Sequence, residues 1–209
     1  MSPTFPWVWL ALAYHVASRL GYVLYVGIAL RRQDRAGVFA QRYGAEEGFR
    51  RFRRIAATVM NNDGVSFVVL CLVAWNWPAI GLARGWEIGV GLFLIFAGVA
   101  TKLWAGATLG WDAYYWRNFF TPPARLVPNT TGPYRFLWNP MYTVGYFHLY
   151  GLALVAGSLL ALVAALFDQA AILAFYWWVE RPHLDRLRSA SQRAGAQGSG
   201  NVGAIRPPS

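Results

Sequence analysis

Four long stretches of the chain are apolar and almost free of charge, and segments that contain arginine separate them. These stretches are residues 6–30, 64–83, 86–109 and 136–179. A bilayer-crossing helix needs about 20 mostly apolar residues, so the fourth stretch is long enough for two helices. The pattern predicts an all-α, polytopic membrane protein with about five transmembrane helices. The last two are expected to form a helical hairpin that turns near Ala156-Gly157-Ser158.

The segments between these stretches are rich in arginine or in aromatic residues. Residues 31–61 mix arginines with large apolar side chains, which predicts an amphipathic helix in the membrane interface. Asn61-Asn62-Asp63-Gly64 predicts a turn before the second span. Residues 110–138 hold many aromatic side chains. They favour either an interfacial belt or the lid and wall of a binding site.

Arginine placement predicts the orientation of the chain in the membrane. With about five spans, all three arginine-rich segments lie on one side of the bilayer, and the opposite side has only Arg84. Because arginines accumulate on the cytoplasmic side, we expect the N-terminus outside and the C-terminus and site inside. A bacterial inner membrane is the expected location. We expect a single membrane domain over residues 1–193, with its core at 90–190, and a disordered tail over 194–209.

Composition agrees with a membrane protein and argues against several classes of site. Hydrophobic residues make up 56% of the 209 residues and charged residues 13%, whereas soluble domains carry about 25% charged residues. The net charge of +10 lies beside apolar spans and suits anionic lipid headgroups better than nucleic acid. The single cysteine, Cys71, excludes a disulfide framework and a cysteine-based zinc site. The sequence has no HExxH motif and no strand-turn-helix GxGxxG, so we expect neither a metal site nor a Rossmann domain.

Ionisable residues inside the apolar stretches are costly in a bilayer, so pairing or function is expected of each. They are His15, Arg19, Lys102, His148 and Asp168. Lys102, the only lysine, can extend its ammonium along an aliphatic stem to the interface. We expect Asp168 near the non-cytoplasmic end of the hairpin, far from the chemistry, in a structural role.

The most informative segment runs from Gly132 to Tyr142 and reads Gly-Pro-Tyr-Arg-Phe-Leu-Trp-Asn-Pro-Met-Tyr. It leads into the apolar hairpin, which ends on Glu180 and Arg181. A hairpin returns to the membrane face from which it starts, so its two ends predict a small-molecule site at that face. Read alone, Asn139-Pro140 favours a simple helix start.

In this context the segment resembles the integral-membrane, S-adenosylmethionine-dependent methyltransferases. Asn139-Pro140-Met141-Tyr142 follows Gly132-Pro133-Tyr134 and precedes Glu180 by one hairpin. This order is similar to that of phosphatidylethanolamine N-methyltransferases and isoprenylcysteine carboxyl methyltransferases. The segment from Gly106 to Gly110, followed by Trp111, Asp112 and Tyr114, resembles their glycine-containing cofactor segment more loosely. Arg181 stands where that family has a second glutamate.

The resemblance implies an enzyme that moves a methyl group from S-adenosylmethionine to the amine of a phosphatidylethanolamine-type phospholipid. The lipid is expected to arrive laterally from the bilayer. The asparagine form of the motif favours this reaction over carboxyl methylation of a lipidated or small apolar acid. A non-catalytic membrane scaffold or a transporter subunit is the alternative of another class. The oligomeric state is open.

The resemblance and the residue chemistry together give candidate site residues. Those expected at the cofactor are Gly106, Gly110, Tyr134, Asn139, Pro140, Met141, Tyr142, Glu180 and Arg181. Tyrosine faces can hold a sulfonium, Glu180 can pair with an ammonium or with ribose hydroxyls, and Arg181 can bind a carboxylate or a lipid phosphate. Because methyl transfer needs a neutral amine, a base can be required, and the catalytic candidates are Glu180, Asp112 and His183.

Overall fold

The computed structural model of the protein is helical through most of the chain that it describes. It describes the backbone of residues 5–121 and 131–202 and the side chains of residues 6–121 and 131–193. The helices are α1 (Phe5–Ala36), α2 (Val38–Tyr43), α3 (Ala45–Val73), α4 (Arg84–Leu109), α5 (Trp111–Tyr114), α6 (Phe147–Ala156), α7 (Leu159–Phe175) and α8 (Arg181–Val202). A π-helical turn, Tyr176–Glu180, joins α7 to α8.

The first three helices differ from the sequence prediction. α3 passes through Asn61-Asn62-Asp63-Gly64 without a break, so the predicted turn there was wrong. The predicted single interfacial helix over residues 31–61 was wrong too, since parts of α1, α2 and α3 share that range. Tertiary partners outweigh the local turn signal, because the Asn62 side chain accepts from Tyr14 at 2.8 Å and donates to Ser18 at 2.6 Å. These bonds fasten the middle of α3 to α1.

α4 and α6 pack so closely that backbone meets backbone. A Cβ on Gly151 would lie 2.4 Å from the carbonyl oxygen of Gly91, and one on Gly98 would lie 2.4 Å from the backbone nitrogen of His148. Small residues permit this approach in a membrane, where van der Waals packing drives helix association. The contact holds the start of α6 against α4, directly after the segment that ends at Tyr142.

The predicted helical hairpin is present as α6 and α7. Gly157 turns the chain with a φ of +65°, in the left-handed region that favours glycine. Ser158 Oγ accepts the N–H of Ala161 at 3.2 Å and so caps α7. The first helix of the hairpin begins at Phe147 rather than at residue 136, because tight turns occupy the residues before it.

Within the described residues, three helical segments are long and apolar enough to cross a membrane: Ala45–Val73, Arg84–Leu109 and Leu159–Arg193. Val144–Ala156 is a shorter apolar helix. The fold is therefore all-α and polytopic, as predicted, while the count of about five crossings stays a prediction that also needs α1. The single-domain division at residue 193 stays a prediction as well. α8 extends to Val202, and residues 203–209 of the expected disordered tail lie outside the described residues.

Contacts between helix ends group the arginine-rich segments at one end of the molecule. Asp34, near the end of α1, has its Oδ1 2.8 Å from Nδ1 of His183 in α8. At the opposite end, the segment after α3 meets the hairpin turn through an antiparallel bridge between Ala79 and Ser158. That bridge is the sole β-pairing among the described residues. The grouping is the one that five crossings require.

A buried charge cluster joins α1, α3 and α7. Arg19 binds Asp168 at 2.7 and 2.6 Å and Asp63 at 2.8 Å, and Nε2 of His15 lies 3.2 Å from Asp168. All of these side chains are almost fully buried, and pairing is what an ionisable group inside a membrane requires. Asp168 lies in the middle of α7, so its expected place near the end of the hairpin was wrong.

Candidate active site

A cavity of about 850 Å³ opens where the hairpin starts and finishes. Its wall comes from the segment after α4, from the turns before α6, and from the π-helical turn with the first residues of α8. The lining residues are Leu109, Ala113, Tyr114, Trp116, Asn118, Phe119, Tyr134, Arg135, Phe136, Leu137, Trp138, Asn139, Met141, Tyr142, Tyr176, Trp177, Glu180, Arg181, Leu184, Asp185 and Arg188. The two ends of the hairpin therefore meet at one site.

Glu180 is held in this cavity by donors from two distant parts of the chain. The indole Nε1 of Trp116 and the hydroxyl of Tyr142 both donate to Glu180 Oε1. Trp116 has a φ of 60°, in the left-handed region that is uncommon for a bulky residue. Glu180 itself ends a π-helical turn, a feature frequent at functional sites. The carboxylate is oriented by the fold, and both bonds end on Oε1, which leaves Oε2 for a ligand.

Asn139 lies in a tight turn and not at a helix start. Its φ of 45° is left-handed, a conformation that asparagine tolerates better than most residues. Its carbonyl oxygen accepts the N–H of Tyr142 at 3.1 Å. Pro140 is fully buried, and its carbonyl oxygen accepts the N–H of Gly145 at 2.8 Å. The turn brings Asn139 and Tyr142 to the cavity wall, so the simple helix start considered above does not describe this motif.

Aromatic rings and an arginine form one side of the cavity. The Trp138 ring lies 5.4 Å from the ring of Tyr176 and 5.9 Å from that of Trp177, between centroids. The Arg181 guanidinium lies 4.1 Å from the centroid of the Trp177 ring and 3.8 Å from the carboxylate of Asp185. This side offers flat faces for stacking and an oriented guanidinium for an anion.

Two tyrosines on the wall keep their hydroxyl protons at neutral pH. Burial raises the pKa of Tyr134, and the nearby Glu180 carboxylate raises it further. Burial also raises the pKa of Tyr114, with an added contribution from Tyr115. Both hydroxyls can therefore donate a hydrogen bond to a ligand in the cavity.

Most of the residues expected at the cofactor lie on this wall, and the glycines do not. Those lining the cavity are Tyr134, Asn139, Met141, Tyr142, Glu180 and Arg181. Gly106 is packed against other side chains, since a Cβ there would lie 3.4 Å from Trp111 and 3.9 Å from Met141. Gly110 ends α4 with a φ of +88°, and Pro140 is buried inside the turn. These three residues shape the wall from behind.

The structure does not bring Asp112 to Glu180. The Asp112 carboxylate forms ion pairs with Arg53 at 2.8 Å and with Arg117 at 2.7 Å, and it does not line the cavity. It ties the segment after α4 to α3. Its expected role as a base therefore has no support from its position.

His183 is likewise outside the cavity lining. Its Nδ1 lies 2.8 Å from Asp34, and its Nε2 lies 3.2 Å from the carbonyl oxygen of Asn118. Its ring stacks on Phe119 with a centroid distance of 3.7 Å. Both nitrogens are engaged in contacts between helix ends, which leaves Glu180 as the one catalytic candidate on the wall.

A second cavity, of about 170 Å³, adjoins the first. The two share a wall of Tyr114, Trp116, Met141 and Tyr142. Arg19, Asp63 and Lys102 line the second cavity, so it is polar although it lies among apolar helices. His15, Asp63 and Asp168 present ligand atoms within 4.8 Å of one another, but the Arg19 guanidinium already binds both carboxylates there.

Trp116 was not predicted as a site residue, and Tyr114 entered only through the looser resemblance to a cofactor segment. The density of aromatic residues over 110–138 was the available signal, and it left a belt and a binding wall as alternatives. The structure places Tyr114 and Trp116 on the wall, while residues 122–130 of that segment lie outside the described residues. The left-handed backbone of Trp116 places its side chain on the wall, and this conformation could not be predicted from composition.

A family model described as phospholipid methyltransferase matches residues 86–189 of the chain. The chain belongs to the phospholipid methyltransferase family. The matched range begins in α4 and ends in α8, so it contains every described segment that lines the larger cavity. Together with the apolar helices, this membership makes it an integral membrane protein.

Curated relatives of this phospholipid methyltransferase family member are named phosphatidylethanolamine N-methyltransferase. The one from Schizosaccharomyces japonicus is 32% identical over 137 residues, which are 65% of this chain and 15% of the relative. The one from Podospora anserina is 27% identical over 196 residues, which are 88% of this chain and 20% of the relative. The chain thus spans a fifth or less of the length of these relatives. No solved structure matches it.

Proposed function

We propose that this protein transfers a methyl group from S-adenosylmethionine to the amine of a phosphatidylethanolamine-type phospholipid. The observation that carries the proposal is the larger cavity, where the Asn139–Tyr142 turn meets an oriented Glu180. Family membership supports methyl transfer to a phospholipid, and the names of the fungal relatives support the amine as the acceptor.

The residues of the cavity fit S-adenosylmethionine in size and chemistry. Small-molecule sites commonly enclose about 300–1,000 Å³, and this cavity of about 850 Å³ is within that range. The faces of Tyr134, Trp138 and Tyr176 would hold the adenine ring and the sulfonium. Glu180 Oε2 would bind the ammonium or the ribose hydroxyls. Arg181 stands where the family has a second glutamate, and its guanidinium would bind the carboxylate of the cofactor.

When bound, the cofactor would supply a methyl group on a positively charged sulfur, ready for direct displacement. The task of the protein is then to align a neutral amine with that methyl group and to keep the pair in place. The oriented turn and the ring-lined wall perform this positioning. Of the three proposed bases, Glu180 is the one that lines the cavity. It is therefore the candidate that can accept a proton from the amine.

The lipid would enter from the side of the molecule. Phe136, Trp138 and Trp177 line the cavity and are also strongly exposed, as expected of rings that face acyl chains or the headgroup layer. Arg135 and Arg188 lie on the same wall and would attract phosphate. The proposal places this face, with the C-terminus, on the cytoplasmic side and the N-terminus outside. A bacterial inner membrane stays a prediction, since the relatives named above are fungal.

The test is cofactor binding together with lipid product. Purified protein in detergent should gain melting temperature with S-adenosylmethionine, because a ligand that binds only the folded state stabilises it. Expression in a host that lacks methylated phospholipids should then yield methylated phosphatidylethanolamine by lipid mass spectrometry. Glu180→Gln, which keeps the side-chain shape, should lower both readouts. A folded wild-type protein with neither a melting shift nor a methylated lipid would contradict the proposal.

A further inference from the structure

The second cavity is lined by a cation, Lys102, that forms no ion pair within the described residues. Lys102 projects from α4, one of the helices apolar enough to cross a membrane. Its Nζ lies 4.9 Å from the centroid of the Tyr146 ring, and no carboxylate of the described residues forms an ion pair with it. An ammonium at this depth is costly unless an anion or water meets it. The cavity therefore offers a site for an anion.

Arg19 lines the same cavity, but its guanidinium is already occupied by two carboxylates. Its guanidinium binds both oxygens of Asp168 and one oxygen of Asp63, and it donates to the hydroxyl of Tyr146 at 3.2 Å. These bonds use its planar fork on two carboxylates. Lys102 is therefore the cation on this wall that an incoming anion can use.

The same wall also contains an acceptor without a donor. Asp63 is only 4% exposed, and its Oδ2 binds Arg19 at 2.8 Å. Its Oδ1 is buried and has no hydrogen-bond partner in the described part of the chain. An unsatisfied carboxylate oxygen costs free energy in a buried site, and an N–H donor would remove that cost. The cavity thus offers a site for a cationic donor beside the site for an anion.

We propose that the second cavity binds the zwitterionic headgroup of the lipid substrate, with Lys102 as the counter-ion of its phosphate and Asp63 Oδ1 as the acceptor of its ammonium. An ethanolamine headgroup carries these two charges only two carbons apart, and one small cavity can meet both. The inference rests on the proposed function for the identity of the lipid. It assigns binding of the lipid headgroup to Lys102 and Asp63, which do not line the larger cavity.

The position of the cavity suits this role. Its volume of about 170 Å³ admits a headgroup but not acyl chains. Asn61 and Gly64 line it and are exposed on α3, so the cavity reaches the surface of the molecule there. Its inner wall is shared with the larger cavity through Tyr142 and Trp116. A headgroup seated on Lys102 would lie next to that shared wall, where its nitrogen can approach the methyl donor once the ammonium has given its proton to a carboxylate.

The test measures binding of dihexanoyl phosphatidylethanolamine to the full-length protein in detergent by isothermal titration calorimetry, so that it does not depend on methyl transfer. Lys102→Met keeps the length of the side chain and removes the charge, and it should weaken this binding at least about tenfold. Lys102→Arg should restore affinity to within about threefold of wild type. Leu103→Met, on the exposed side of the same helix, is the matched control and should leave the affinity unchanged.

A second pair of measurements separates the two charges of the headgroup. Asp63→Asn should weaken binding of the phosphatidylethanolamine about fivefold and should not weaken binding of dihexanoyl phosphatidylglycerol, which has a phosphate but no amine. Lys102→Met should weaken both lipids. The melting shift caused by S-adenosylmethionine should be the same in wild type and Lys102→Met, which shows that the larger cavity is intact.

Unchanged phosphatidylethanolamine binding in Lys102→Met would overturn the inference. Equal losses for both lipids in Asp63→Asn would overturn the assignment of the ammonium to that residue. If binding depends on Lys102 while no methylated lipid is ever formed, the headgroup site stands and the proposed methyl transfer fails. The two proposals can therefore fail separately.

Discussion

At the residue scale, the site depends on side chains whose backbone conformation is unusual. Asn139 and Trp116 are both left-handed, and each places a side chain on the cavity wall. The motif around Asn139 could be identified from the sequence because its members are adjacent. The Trp116 contact with Glu180 could not, because these residues are 64 positions apart and meet only through the packing of the intervening helices.

Substitutions of Asn139 separate its conformational role from its contact with the cofactor. Asn139→Gly keeps the left-handed turn, whereas Asn139→Ala adds a strain of about 1–2 kcal/mol. If the amide binds S-adenosylmethionine, both variants should weaken its binding at least about tenfold, or about 1.4 kcal/mol. Both also lose the 3.3 Å bond from the Tyr142 N–H to Asn139 Oδ1, and the strained alanine variant should lose more melting temperature than the glycine variant. Calorimetric binding and thermal unfolding in detergent measure the two effects. Near-normal binding in Asn139→Gly would show that asparagine serves the turn alone.

The two hydrogen bonds that Trp116 and Tyr142 donate to Glu180 should strengthen cofactor binding. Trp116→Phe and Tyr142→Phe each remove one hydrogen bond to a charged group, which is worth about 1.5–3 kcal/mol. We expect each to weaken S-adenosylmethionine binding by roughly tenfold or more, since Glu180 loses its orientation. Tyr14→Phe removes a tyrosine hydrogen bond to Asn62 at 2.8 Å, away from both cavities, and is the matched control. Wild-type affinity for S-adenosylmethionine in all three variants would mean that Glu180 does not contact the cofactor.

At the element scale, the hairpin was predictable and the helix boundaries before it were not. The length of the apolar stretch and the small residues around Gly157 correctly predicted a hairpin of two helices, α6 and α7. The turn expected at Asn61–Gly64 was wrong because the polar side chains there find partners on α1. A turn signal reports a local preference, and tertiary hydrogen bonds inside an apolar bundle can outweigh it.

The close contact of α4 and α6 gives a prediction about stability. Gly151→Ala would place a Cβ 2.4 Å from the backbone of Gly91 and 2.7 Å from that of Ile95, neither of which can move as a flexible side chain does. We expect a loss of about 1–3 kcal/mol, seen as a lower melting temperature in detergent. Gly89→Ala, on α4 with nothing within 4 Å of the added Cβ, should be neutral or slightly stabilising. A fully stable Gly151→Ala protein would contradict the packing described.

At the scale of the whole molecule, the arginine pattern and the structure lead to the same arrangement. The predicted cytoplasmic segments meet through Asp34 and His183, and the predicted outer connections meet through Ala79 and Ser158. The fold class and the hairpin therefore followed from sequence. The pairing of Arg19 did not, because sequence shows that a buried charge needs a partner without showing which helix supplies it.

Cysteine accessibility in intact cells or inverted vesicles tests this arrangement. In a Cys71→Ala background, Gln41→Cys and Ala190→Cys occupy exposed positions in the two basic segments, and Ala83→Cys occupies an exposed position at the opposite end. With five crossings, an impermeant thiol reagent outside the cell should label Ala83→Cys alone, and inverted vesicles should give the reverse pattern. Lipid activity of each variant verifies that it is folded. Labelling of Ala190→Cys but not of Gln41→Cys from outside would place the start and the end of the hairpin on opposite faces, and the cavity between the Asn139 turn and Glu180 could not then form in the membrane.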